Sequence, residues 1–320
     1  MTAQAREPAR SALAARLLAP ARRVDLVALA AEWFRAVIVV RCRASHGLAA
    51  DVRLLNRVRG ALGTALTETA SAEALAKQPC PWLPPCALDV LYRTQGHITP
   101  GLEIPKPYVL QADEDGTDIV LALTLFGFAS DWAEAVAEAL VRGLRRGLDL
   151  AVTGRELTSS EAVVVPVTAG GALLLFETPL HLRRTEDPDP DAPPDFPALV
   201  SSLANRVSGL ARWQDAALDL DAGALKSLAR SLRVRWEVAR PEEWDRYSHL
   251  QARSVPMEGT VASALVEGGL EALLPLLALG ETCHAGSHAA FGLGRYRLAL
   301  LPDDTPPVPA CRGVGRSVSR

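Results

Sequence analysis

The sequence predicts an α+β protein in which one order of strands and helices occurs twice, behind an additional N-terminal helix. Three observations carry this prediction. β-Branched runs of six to ten residues read as buried strands, segments with apolar residues three and four apart read as helices, and the two halves of the 320 residues present them in the same order. That length is sufficient for two domains with cores of their own.

The segment ARSALAARLLAPARRVDLVALAAEWF is Ala/Arg-rich and amphipathic, and it predicts one N-terminal helix. AVIVVRCR (36–43) is the first strand, and SHG (45–47) turns the chain. Residues 48–70 place Leu48, Val52, Leu55, Val58, Leu62 and Leu66 on one helical face. QPCPWLPPC (78–86) is excluded from regular structure, because its four prolines remove donors and fix φ. IPKPYVL (104–110) leads through an acidic turn into the strand TDIVLALTLFGF (117–128). A helix over 131–146 follows, with Ser130 or Asp131 as N-cap, and a strand at 150–158 closes the first unit.

In the second half, AVVVPV and ALLLFE (162–177) predict two strands joined by a Gly-Gly hairpin turn. A proline-rich acidic connector (186–197), a helix over 197–213 and a strand RVRWEVA (233–239) come next. An irregular segment, a helix over 270–279, a glycine-rich loop and the strand RYRLALL (295–301) complete the unit. In both halves the order fits β-α-β-β-α-β, the ferredoxin-like unit. The expected division is a helical extension (1–34), two ferredoxin-like domains (35–158 and 159–302) and a disordered tail (303–320) rich in Pro, Gly, Ser and Arg.

The net charge is −3, so the protein is not coated in positive charge. Acid is concentrated in ADEDGTD (112–118) and EDPDPDAPPD (186–195), while arginines gather at 35–59 and 230–240, leaving room for a local basic face. Five scattered cysteines predict a reduced, intracellular protein rather than a disulfide framework. Cys80 and Cys86 have a C-x5-C spacing outside the zinc range, with no fourth ligand evident, so no metal and no cofactor is expected. No apolar run is long enough to span a bilayer, and no membrane partner is expected.

Four phrases occur in order along the chain: VRGALG (58–63), IPKPYVL with LTLFGFA (104–110 and 123–129), EEWDRYSHLQ (242–251) and HAGSHAAFGLGRYRL (284–298). Each resembles a segment of the CRISPR precursor-RNA endoribonucleases, the sixth Cas family of the RAMP superfamily. The last is similar to that family's C-terminal glycine-rich loop and final strand. The resemblance spans residues 36–301 and implies two tandem RAMP (RRM-like) ferredoxin-like domains. It also implies a prokaryotic, cytoplasmic protein that binds CRISPR repeat RNA or crRNA, with other Cas proteins as further partners.

The implied reaction is metal-independent: the ribose 2′-OH attacks the adjacent phosphate, giving a 2′,3′-cyclic phosphate and a 5′-OH. It needs a base, an acid and positive charge for the phosphorane. Histidine can carry the proton near neutral pH. The resemblance points to His46, in the turn after the first strand, as base, with His284 or His288 of the glycine-rich loop as partner. It also implies RNA contacts from Arg59, Arg246, Tyr247, Gly286, Ser287, Gly292, Gly294, Arg295 and Arg297. Glycines at 286, 292 and 294 would let backbone N–H groups approach a phosphate, and Arg295 and Arg297 alternate onto one strand face. Trp244 is assigned to core packing rather than base stacking, and His181 to a structural or solvated role.

Two positions depart from the family's phrases. Ser287 stands where the family phrase has lysine, and Asp149 intrudes in the corresponding segment of the first unit, RRGLDLAV (145–152). The alternative is a catalytically silent RAMP subunit that holds crRNA within an effector complex.

Overall fold

The structure, a computed structural model, describes residues 11–43, 47–49, 51–182, 193–248 and 253–302. The single N-terminal helix of the sequence reading is two short ones, α1 (Ala12–Leu18) and α2 (Leu26–Ala31), with strand β1 (Arg22–Val24) between them. Pro20 accounts for the break, since it disfavours helix at the residue before it and cannot donate to the preceding turn. Each helix has its own N-cap: Ser11 accepts from the Ala14 N–H, and Asp25 from that of Ala28.

The first unit contains β2 (Arg35–Arg43), α3 (Leu54–Thr67), α4 (Ala72–Leu75), α5 (Ala87–Tyr92), β3 (His97–Thr99), β4 (Leu102–Glu103), β5 (Tyr108–Asp115), β6 (Asp118–Phe126), α6 (Ala133–Gly147) and β7 (Ala151–Ser160). Its sheet runs β5-β6-β2-β7 with every neighbour antiparallel. The alternation of β2 explains its central place. Ala36, Ile38, Val40 and Cys42 are buried under the helices, while Arg35, Val37, Val39 and Arg41 occupy the other face.

The second unit contains β8 (Gly171–Phe176), α7 (Phe196–Ala211), β9 (Ala216–Leu218), α8 (Ala222–Ser231), β10 (Arg233–Ser248), β11 (Arg253–Glu267), α9 (Leu274–Cys283) and β12 (Tyr296–Leu301). Its sheet runs β10-β11-β8-β12, again antiparallel throughout. Numbered by their order within each unit, both sheets read 2-3-1-4. The fold is therefore two tandem ferredoxin-like units.

Two expectations for the second half are corrected. Residues 162–170 form no strand: Val164 and Val167 are 91% and 84% exposed, and Pro166 could not donate to a ladder. β8 already pairs with β11 on one edge and β12 on the other, so it has no edge free for a hairpin partner. Conversely, the segment expected to be irregular after residue 239 is the long β10–β11 hairpin, and α8 precedes it.

The two units share one apolar core. β1 pairs in parallel with β9, which ties the N-terminal segment to the second unit. Trp33 donates from Nε1 to Thr282 Oγ1 (2.9 Å), and Trp213 donates from Nε1 to the Pro105 carbonyl (3.1 Å). These contacts bring β5 and the start of α3 against the loop between α9 and β12.

Candidate functional site

That loop begins where α9 ends. His284 ends the helix at φ 64°, ψ 156°, a backbone region that side chains other than glycine's rarely enter. Gly286 and Gly292 follow with positive φ. At Gly286 a Cβ would stand 2.4 Å from the His181 carbonyl oxygen; at Gly292 it would stand 2.1 Å from Leu55 Cδ1 and 2.9 Å from the Leu110 carbonyl oxygen. The loop is thus pressed against residues 179–181 on one side and against α3 and β5 on the other.

This packing changes the expected role of the loop backbone. Ser287 N–H donates to the His181 carbonyl (2.8 Å), Gly292 N–H to Ala289 (2.9 Å) and Gly294 N–H to Pro179 (3.0 Å). Of the backbone donors expected to cradle phosphate, those of Gly292 and Gly294 are engaged within the protein. What the glycines supply is close approach between segments.

His284 lies fully buried, with its Nε2 accepting from Gln111 Nε2 at 3.2 Å. Burial, aided by the neighbouring Arg206 and Arg295 charges, pushes its pKa down to about 3. It is neutral at neutral pH and does not meet solvent, contrary to the expectation of an RNA-facing group. Arg295 is also buried, between Asp113 (Nη1–Oδ1, 2.8 Å) and Glu177 (Nε–Oε2, 2.6 Å). Arg59 donates from Nε to Tyr108 Oη (2.8 Å), with its guanidinium over the rings of Tyr92 and Phe291. Both arginines are thus engaged within the protein, where the expectation was open phosphate contacts. Arg297 differs: it is exposed on β12, although Nε reaches Glu177 (2.9 Å).

His288 is exposed and takes left-handed backbone at φ 65°. Its ring lies 5.4 Å from that of His181 and 5.8 Å from that of Phe291. Both histidines line an open cavity of about 780 Å³, together with Arg53, Glu243, Trp244, Asp245, Met257 and Glu258. Arg53 immediately precedes α3, whose first turn carries no acidic residue, so this rim is the more positive one. Glu243, Asp245 and Glu258 line the hairpin side. Trp244 is buried beside Met257 and Leu293, a packing role as expected.

His181, assigned a structural or solvated role from the sequence, also lines this cavity. The Leu180–Thr260 bridge, with N–H···O bonds of 2.9 Å in both directions, places it next to β11. Its Nδ1 donates to the Glu258 carbonyl at 3.0 Å. Of the other sequence-predicted residues, Arg246 and Tyr247 lie in β10, at its far end from β8, where their side chains are outside the described set. His46 lies outside the described residues. Among the described residues no group of three or more His, Cys, Asp or Glu side chains comes together as a metal-ligand set, and no helix is long and apolar enough to cross a membrane.

The fold and site are thus two ferredoxin-like units in tandem, with a glycine-rich loop wedged between them beside a histidine-lined cavity. Residues 174–296 match the family of the CRISPR-associated endoribonuclease Cas6, and residues 40–169 match a second family described as an N-terminal domain. The second unit is thus similar to the CRISPR-associated endoribonuclease Cas6. Among solved structures, a Cas6 product complex is similar over 83% of this chain and 100% of its own, at 14% identity and a TM-score of 0.51. The Thermus thermophilus Cas6 is similar over 83% and 99%, at 12% identity and a TM-score of 0.49. At 14% identity the product complex speaks for the fold alone. No curated protein matches the chain.

Proposed function

We propose that this protein cleaves CRISPR repeat RNA without a metal, by attack of the ribose 2′-OH on the adjacent phosphate. The observation that carries this reading is the cavity where the glycine-rich loop, the residue preceding α3 and the β10–β11 hairpin meet, holding His288 and Arg53. Imidazole can exchange protons near neutral pH, and a guanidinium beside the phosphate offsets charge that grows in the phosphorane. Arg297, exposed on β12, offers a further cation to the RNA backbone. A repeat hairpin would be read through shape and phosphates, and its unpaired flank through base edges.

The experiment is cleavage of labelled repeat RNA by purified protein in excess chelator, with a matched RNA carrying one 2′-deoxy substitution at the scissile nucleotide. Cutting of the first and survival of the second is the expected result; cutting of the deoxy RNA refutes the mechanism. A repeat that is bound and left uncut assigns the chain to the silent-subunit reading, which the three cavity carboxylates favour, because they repel a phosphodiester.

A further inference from the structure

We propose that His181 is the general base of the cleavage reaction, working with His288 as the acid. This rests on the cleavage reading above and adds a residue that no motif marks. The argument is geometric. A carbonyl oxygen can only accept, so the 3.0 Å contact between His181 Nδ1 and the Glu258 carbonyl requires the ring hydrogen on Nδ1. In the neutral imidazole the lone pair then sits on Nε2, the form a base needs. A backbone carbonyl here does what an orienting side chain does in other base–orienter pairs.

The backbone of His181 is fixed as firmly as its ring. Leu180 is bridged to Thr260, the His181 carbonyl receives the Ser287 N–H, and the Pro179 carbonyl receives the Gly294 N–H. Gly286 has no Cβ to hold the two segments apart. One short segment thus joins the hairpin to the glycine-rich loop and sets the His181 and His288 rings 5.4 Å apart. His181 keeps 22% of its side chain open to the cavity, and His288 is exposed, so a substrate reaches both. Among the described residues, the charged groups facing the pair are Arg53 before α3, Glu243 and Asp245 on β10, and Glu258 on β11, whose carboxylate is 4.0 Å from His181 Nδ1.

The step balances. His181 Nε2 takes the proton of the 2′-OH while the 2′-oxygen bonds to phosphorus. The bond from phosphorus to the 5′-oxygen breaks, and that oxygen takes the proton of the His288 imidazolium. The products are a 2′,3′-cyclic phosphate and a 5′-OH, with His181 protonated and His288 neutral. Reaction therefore needs one neutral and one protonated ring, which makes the rate bell-shaped in pH.

The test is the single-turnover rate at saturating repeat RNA across pH for wild type, His181→Ala, His181→Gln and His46→Ala. Melting curves and affinity for the 2′-deoxy RNA are measured alongside. Expected are a loss of about a hundred- to ten-thousand-fold in both His181 variants, with the acidic limb of the profile gone and affinity kept. Added imidazole should restore rate to His181→Ala. A His181→Gln protein with the full saturated rate overturns the proposal, and loss confined to His46→Ala moves the base to that residue. If both His181 variants lose their melting transition with the rate, His181 is structural and the proposal fails. Wild type that cuts no repeat refutes the cleavage reading itself.

Discussion

Arg295 and Asp113 are joined by a 2.8 Å charged hydrogen bond between the two ferredoxin-like units, and Glu177 takes the other side of the same guanidinium. The arginine most prominent in the glycine-rich phrase is therefore spent on holding β12 to β5. Position two residues along a strand places side chains on one face, but it does not say what already occupies that face.

Arg295→Ala should consequently act on stability. Removing a buried cation from two carboxylates that remain partly solvated is expected to cost about 1–3 kcal/mol. Urea midpoints measure it, and the salt dependence of RNA binding should stay as in wild type. Arg59→Ala, which strips a cation from between Tyr92 and Phe291, should behave likewise.

Arg297→Ala should do the reverse. Its side chain is 61% exposed, so its loss should leave the melting temperature nearly unchanged. The slope of log affinity against log salt should shrink by about one, as for one lost phosphate contact. A fluorescence titration at four salt concentrations reads this directly.

His284 makes stability depend on pH. Its folded pKa of about 3 lies below the unfolded value near 6.5, so the unfolded chain binds more protons between those limits. The contribution is complete above about pH 6.5 and is lost progressively as pH falls toward 3. In His284→Gln, the fall of the urea midpoint through this window should be shallower than in wild type.

Gly292→Ala should be destabilising by more than about 1 kcal/mol, because φ is 84° and a Cβ would meet Leu55 and the Leu110 carbonyl. Leu55→Ala relieves only the side-chain part of that clash. A double-mutant cycle should therefore show coupling between the two positions while a residual cost from the backbone remains.

Much of the fold is legible because burial and period agree. β2 alternates cleanly, α6 keeps Val136, Leu140 and Leu144 on one face, and β12 follows its loop as expected. Of the β10–β11 hairpin only residues 233–239 were legible, because Pro241 and Pro256 argue against strands beyond them. Pro241 is tolerated on an edge strand, and Pro256 lies where β11 has run past its pairing with β8. The site was half legible. The glycine phrase located His288, but His181 meets Glu258 across 77 residues, and no local spacing records that contact. The burial of His284 and Arg295 was not legible for one reason: the same phrase that marks the loop also packs it.

The parallel pairing of β1 with β9 has a consequence for how the molecule is made. The Ala21 N–H waits for Asp215, 194 residues further along, and β1 waits for the adjoining strand. At 5–20 residues per second the ribosome needs roughly 10–40 s to supply that partner. During that time the first unit can collapse while its N-terminal segment stays undocked. β1 is thus among the last strands to find its place, although it precedes every other strand, and it closes the seam between the two halves.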